Sequence, residues 1–408
     1  MSQRPAFSAS QNSPASDLQD PREHAIRILH TYPNNKWTGP ADPAIRCAAR
    51  LRQLGLDVLF ATAELPFPGA SQSVRKALWD ARIPVISSLK IPKHTRLRAL
   101  RHDVAEIRRL VVRDRLDIVH THQLSDQFAV SMALSRNERR PVHVHTLYEP
   151  SLSGFGLRRR HAMRHTDGVV APTRAVADTL VRRFGFDENR VLYQEPVVEP
   201  RSASGPDLRA AWGLDQSHFV VGITARVQPH RRFELLWDIA RRVVDRMPNA
   251  RIVLLGRGND EDMRALVHEP VERLGLRGHV VLPGYQKGAD YDAALRTLDA
   301  FVFLVPGSDG TCRAAREAMA QGLPVVTTTR GILPELVRPG ADGVAPGTVH
   351  DDDAAAMAAD LVRIGTDAAV RRSMGAAALT RTRTDMDPLC AARGLQAFYL
   401  RLAAMPRR

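Results

Sequence analysis

The amino-acid sequence predicts an α/β protein made of two doubly wound, Rossmann-like domains that face a central cleft. Three observations carry that expectation. Short β-rich runs alternate with helical patterns along most of the 408 residues, the alternation breaks once at a Pro/Ser/Gly-rich stretch, and it then restarts with fresh strand patterns. A chain of this length accommodates two domains of ordinary size, each with its own core.

The first series has β-rich runs at 25–32 (AIRILHTY), 57–62 (DVLFAT), 84–89 (PVISSL), 117–122 (DIVHTH), 142–147 (VHVHTL) and 168–173 (GVVAPT). Helical patterns lie between them, for example Ala41 to Leu54 and Thr95 to Arg113. The stretch EPVVEPRSASGPD, 195–207, reads as a linker. Beyond it come FVVGITA (219–225), ARIVLLG (250–256), HVVLPG (279–284), AFVFLV (300–305) and PVVTTT (324–329), and after Gly347 only helical patterns remain. The expected organisation is a disordered tail over 1–22, one domain over 23–200, a second over 201–385 and a closing amphipathic helix within 386–408. Ligands of open α/β sheets bind outside the carboxyl ends of the strands, so the cleft is the expected working site.

Composition narrows the function classes. Lys and Arg total 58 against 44 Asp and Glu, a surface that attracts anions such as phosphorylated metabolites, acidic lipid headgroups or nucleic acid. Aromatic residues make up 5% of the chain and do not interleave with the basic clusters, which argues against stacking on nucleic acid. Cys47, Cys312 and Cys390 lie far apart without CxxC spacing, the pattern of free thiols rather than of disulfides or a zinc cage. The polar N-terminus and the lack of a long apolar run point to a cytoplasmic protein.

The stretch GSDGTCRAAREAMAQGLPVV, 307–326, carries the most chemistry. A polar loop there follows a buried strand and leads into a helix expected over Thr311 to Gln321. Gly307 and Gly310 let backbone approach a ligand, and the free amides of the first helical turn favour a phosphate. Glu317, about one and a half turns in, suits the paired hydroxyls of a sugar, and Asp309 in the loop suits a second sugar beyond the phosphates. In GITARVQPHRRFELL, 222–236, Arg226 ends a strand and Arg231 and Arg232 precede the next helix, placing guanidinium groups where a diphosphate would be clamped.

These motifs together resemble the retaining nucleotide-sugar glycosyltransferases of family 4, which have the GT-B fold. The resemblance rests on Arg226 and Arg231, the LLGRG glycines Gly256 and Gly258, and the acid–seven residues–acid pattern of Asp309 and Glu317 ending in EAMAQGLPVV. It extends more loosely through LDIVHTH, PVHVHTLYEP and DGVVAPTRAVADTLVRRFG, in all from residue 25 to about 385. The resemblance implies that Arg226 and Arg231 hold the diphosphate, that Glu317 holds the ribose, and that Asp309 with the amides of Ser308, Gly310 and Thr311 contacts the donor sugar and its phosphate. It places the base against Gly284 to Gly288, Gly39 in a loop near the leaving phosphate, and the last helix back on the first domain. The first acid, usually Glu in the family, is Asp309 here. Where the family often carries His in TxH, this chain has Tyr148, a poor general base near neutral pH.

His120 and His122 share one face of a strand, and His143 and His145 share a face of the next. A metal site made by all four is the less favoured reading, because GT-B chemistry normally needs no metal. His122, at its strand's end, is the residue expected to line the acceptor side. Asp351 to Asp353 read as acids at a helix start. Between Lys93 and Arg115, eight basic residues accompany three acids, while Leu97, Leu100, Val104, Ile107 and Val111 describe a core-facing stripe. That helix and the cluster Arg158, Arg159, Arg160 and Arg164 are the candidates for peripheral contact with an anionic membrane.

The expected function is therefore a metal-independent, retaining glycosyltransferase without a resident cofactor. Its partners would be a nucleoside-diphosphate sugar, a UDP-sugar foremost, and an acceptor hydroxyl on a glycan, a lipid-linked sugar or a small molecule. Two alternatives stand beside it: a non-catalytic nucleotide-sugar-binding subunit, and a nucleotide-sugar 2-epimerase of the same fold.

Overall fold

The computed structural model describes residues 26–63, 73–135, 140–148, 156–202, 204–306 and 310–408. The expected tail over 1–22 lies outside them, as do Ser308 and Asp309. The first sheet contains β1 (Arg27–Tyr32), β2 (Asp57–Thr62), β3 (Val85–Ile86), β4 (Ile118–Thr121), β5 (Val142–Thr146), β6 (Gly168–Ala171) and β7 (Val191–Tyr193), in the order β3-β2-β1-β4-β5-β6-β7. The second contains β8 (Phe219–Thr224), β9 (Ala250–Leu255), β10 (Val280–Val281), β11 (Ala300–Phe303), β12 (Val325–Thr328) and β13 (Gly347–His350), in the order β10-β9-β8-β11-β12-β13. Each pairing is parallel, as expected when helices cover both faces. Strand order reverses between β1 and β4 and again between β8 and β11, so each sheet opens a crevice at the carboxyl ends of those strands.

The strands are shorter than their hydrophobic runs suggest. The run 84–89 forms only Val85–Ile86, and β7 and β13 were not foreseen. β13 corrects the expectation that only helices follow Gly347. Its sequence, GTVH, carries little hydrophobic signal, and its place depends on main-chain pairing, with Val325 opposite Gly347. A Cβ at Gly347 would lie 1.9 Å from the Val325 carbonyl oxygen, so only glycine permits that approach. The basic helix begins at Leu97 rather than Thr95, and Leu97 itself is 64% exposed, so the buried stripe runs through Ile107, Leu110 and Val111 instead.

The last helix, Pro388–Ala404, packs on the first sheet. Leu395, Phe398, Tyr399 and Leu402 join Ile28, Leu51 and Val144 in one core. A Cβ at Gly168 would lie 2.3 Å from the Leu402 side chain, which shows how closely the helix is seated. Asp387 caps it by accepting the Leu389 and Cys390 amides, and Asp167 accepts the Arg408 amide at 2.8 Å while pairing with buried Arg140 at 2.5 Å. Burying Phe398 and Leu402 is worth about 2 kcal/mol each.

Polar ties also cross between the two halves. Glu195 of the linker accepts from Arg381 Nη2 at 2.5 Å and from Arg338 Nη2 at 3.2 Å. The Glu335 carboxylate accepts the amides of Arg174 and Ala175, at the open end of the helix Arg174–Phe184. That carboxylate answers the positive end of a helix dipole belonging to the other sheet.

Candidate functional site

The crevice of the second sheet gathers the cationic candidates. Beyond β8 the chain leaves through Arg226, which is exposed, and turns through a 3₁₀ segment begun by Pro229. This turn carries Arg231 across to the end of β11, where its Nη1 lies 3.4 Å from the Pro306 carbonyl oxygen and 3.5 Å from that of Val305. Sequence-distant Arg231 and the loop after β11 are thus neighbours. Arg232 goes elsewhere, adopting φ +60° and pairing with Asp352 at 2.6 Å and with Glu234. Of the Asp351–Asp353 run, Asp353 caps the helix Ala354–Thr366, as acids at that position are expected to do.

Gly256 and Gly258 act on this turn through space rather than through an open surface. A Cβ at Gly256 would stand 1.9 Å from the Ala225 carbonyl oxygen, and one at Gly258 would stand 2.8 Å from Val227 Cβ. The Val227 amide donates to the Arg257 carbonyl at 3.0 Å. The two glycines therefore let the 256–258 loop lie flush against the segment that presents Arg226.

The helix expected from Thr311 starts two residues later, at Arg313. Gly310 at φ +67° and Cys312 at φ +48° bend the chain into it, and the left-handed Cys312 is the residue that delays the start. Glu317 accordingly lies just over one turn in. It is nearly buried, and its carboxylate already receives Arg201 Nη2 at 2.8 Å, with Arg313 Nε at 3.6 Å. Arg201 also pairs with Asp292 and lies over the Tyr291 ring. Gly284 (φ +79°) and Gly288 (φ +56°) bracket the segment assigned to the base, with no atom within 4 Å of either Cβ position. Tyr285 in that segment is half exposed and stacks under the Arg257 guanidinium at 4.8 Å.

The crevice of the first sheet holds the aromatic candidates. Register places His30 of β1 beside His120 of β4, which the sequence did not single out and which strand pairing alone could have revealed. His30 Nδ1 lies 3.0 Å from His122 Nε2, and His122 Nδ1 lies 3.0 Å from the Tyr148 hydroxyl. His120 reaches the Tyr399 hydroxyl at 2.6 Å and Thr146 Oγ1 at 2.7 Å. His143 and His145 contact Thr121 on the opposite face, so the four imidazoles of the sequence reading do not meet. His30, His120 and His122 do bring one ring nitrogen each within 4.8 Å of one another. Two of those nitrogens, His30 Nδ1 and His122 Nε2, face each other at hydrogen-bond distance, and the His120 ring stacks on that of His122.

Burial sets the protonation of this group. It lowers His30 to about 3 and holds His120 and His122 well below the usual imidazole range. It also raises the Tyr148 phenol well above its ordinary value, so Tyr148 is a hydrogen-bonding group and not a base. Asp126, raised to about 7 by burial, accepts the His122 amide at 2.9 Å and Thr31 Oγ1 at 2.7 Å and fixes the end of β4. A cavity of about 20 Å³ is lined by His30, His122, Tyr148, Cys47 and Glu195 among others. Gly39 lies in the turn that opens the helix Ala41–Gln53, where Asp42 of the first turn pairs with Arg46 at 2.7 Å.

Two parallel sheets joined by one linker, with opposed crevices and a last helix returned to the first sheet, define the GT-B class. Residues 39–196 match the model described as Glycosyltransferase Family 4, and residues 218–367 match that described as Glycosyl transferases group 1. The chain belongs to the family 4 glycosyltransferases. A D-inositol 3-phosphate glycosyltransferase from Stackebrandtia nassauensis is 27% identical over 287 residues, covering 64% of this chain and 63% of that protein. The chain thus spans just under two thirds of that curated relative's length. Among solved structures, a glycosyltransferase from Rickettsia africae superposes with a TM-score of 0.75 at 14% identity, over 93% of this chain and 99% of that one. Anabaena HepE in complex with UDP and glucose superposes with a TM-score of 0.70 at 18% identity, over 91% and 98%.

Neither basic element singled out for membrane contact is tested by this geometry. Among the described residues no helix is long and apolar enough to cross a membrane. Arg201 and Arg316 were also missed by the sequence reading. Arg316 sits fully buried in the helix Arg313–Ala320, and nothing in the residue pattern marked it apart from its charged neighbours Arg313 and Glu317.

Proposed function

We propose that this protein transfers a glycosyl group from a nucleoside-diphosphate sugar to an acceptor hydroxyl, with retention of configuration and without a metal ion. The observation that carries the reading is the approach of Arg231 to the Pro306 carbonyl at the end of β11, the strand that leads in sequence to the helix of Glu317. Diphosphate charge held there, between guanidinium groups and a helix amino end, is stabilised as it leaves. Glu317 supplies a carboxylate for ribose hydroxyls, sharing them with Arg201. Asp309 and the Ser308 amide complete the donor site in this proposal.

On the acceptor side, the protonated Tyr148 phenol and the neutral His122 ring supply hydrogen bonds rather than a base. The acceptor's proton then passes to the departing phosphate oxygen as the new glycosidic bond forms and the old sugar–phosphate bond breaks. UDP-sugars are the first donors to test, given the UDP complex of the Anabaena protein. A phosphorylated cyclitol is the first acceptor to test, given the name of the Stackebrandtia relative.

A thermal-shift panel of UDP-, GDP- and ADP-sugars tests the donor. One base class stabilises the wild type, and Arg226→Ala and Glu317→Ala remove the shift. Product stereochemistry by proton NMR and turnover in EDTA test the rest. Tight donor binding with no turnover on any acceptor would support a binding subunit, and a sugar product formed without acceptor would support an epimerase.

A further inference from the structure

Arg316 is fully buried, yet no carboxylate lies within ion-pair distance of it among the described residues. Its guanidinium instead gathers neutral carbonyl oxygens from two distant segments. Nε donates to Thr311 at 2.8 Å, in the bend that opens the donor helix, and Nη1 donates to Pro196 at 3.1 Å and to Val197, in the linker. Nη2 is buried and has no hydrogen-bond partner among the described residues. Burying a charge without a counter-ion costs stability, and desolvation indeed lowers the Arg316 pKa, with Asp42 and Glu317 opposing it only through longer-range attraction. A hydrophobic residue would fill this place at less cost, so the guanidinium is retained for what it connects.

We propose that Arg316 is a positioning residue that couples the donor-binding bend to the interdomain linker. The linker carbonyls it holds follow directly on Glu195, the residue that Arg381 and Arg338 grip from the second domain. A donor diphosphate that sets the amides of Gly310 and Thr311 therefore also sets, through one rigid planar group, the segment about which the domains turn. The unpartnered Nη2 leaves that group able to gain a hydrogen bond when the domains close, with Asp42 of the first domain as the carboxylate acting on it.

This inference rests on the nucleotide-sugar reading, and the two fail differently. Arg316→Met and Arg316→Lys are compared with wild type by calorimetric donor binding, donor-induced change in radius of gyration by X-ray scattering, and steady-state kinetics. Met follows the aliphatic stem of the buried chain and removes an unpaired charge, and calorimetric stoichiometry reports the active fraction, so a folding defect is told apart from a loss of coupling. Arg316→Met is expected to bind donor with wild-type stoichiometry and with affinity within about threefold, to lose the donor-induced contraction, and to lose about 30-fold or more in kcat. Arg316→Lys, which keeps one donor for the carbonyls, regains part of both. Contraction retained in Arg316→Met, kcat within about threefold of wild type, or loss of donor binding itself would each overturn the coupling. A wild type that binds no nucleotide sugar would end the functional reading instead.

Discussion

Arg201 Nη2 meets Glu317 Oε1 at 2.8 Å, so the carboxylate assigned to the ribose is anchored from the linker side before any ligand arrives. Glu317→Ala should abolish the donor-induced thermal shift. Arg201→Met should retain a shift but lower stability by about 1–3 kcal/mol, because it removes the nearer of two cations from a nearly buried carboxylate and leaves only Arg313. Urea denaturation beside the thermal panel separates the two effects.

Arg226 and Arg231 differ in setting, one exposed and the other held at the end of β11. Each alanine substitution should reduce kcat by about 10²–10³-fold if both stabilise leaving diphosphate charge. Arg232→Ala serves as the control, since its partners are Glu234 and Asp352, and it should stay within about threefold of wild type. Initial rates at saturating donor decide.

Gly256→Ala should destabilise the fold by about 2 kcal/mol or more, because the added methyl meets the Ala225 carbonyl oxygen. Gly284→Ala should cost about 1 kcal/mol, since its strain is conformational and the space is open. The order of the two urea midpoints is the measurement.

Stability should fall in mild acid. Burial keeps His30 near 3 and His143 near 4, while the unfolded chain protonates these rings at about 6.5. Their contribution is full above pH 6.5 and is lost progressively as pH drops toward those folded values, by about 2 kcal/mol per ring at pH 5. Asp126 works in the opposite sense, its contribution being full below about 3.9 and lost as pH rises through about 7. The buried rings outnumber it, so the urea midpoint should be lower at pH 5.0 than at 7.5, and His30→Gln should flatten the difference. Identical midpoints would mean that the rings titrate normally.

Much of this was legible in residue types. The period of the strand runs placed both sheets, because parallel strands buried on two faces read as continuous apolar segments. Pairing was not legible: β13 has almost no apolar signal, and His30 acquired meaning only when register set it beside His120. Arg231 and the loop after β11 were both expected at carboxyl strand ends, but their contact was not, and the Glu317 partner came from a linker more than a hundred residues upstream. Buried Arg316 was invisible for the same reason, since three carbonyls leave no mark on composition.

The seating of Pro388–Ala404 against Leu51 and Val144 has a bearing on synthesis. The first domain lacks one wall of its core until this helix, which follows the whole second domain in sequence, has been made. Its final consolidation therefore waits on synthesis of the second domain, and removing the helix will injure the first domain before the second.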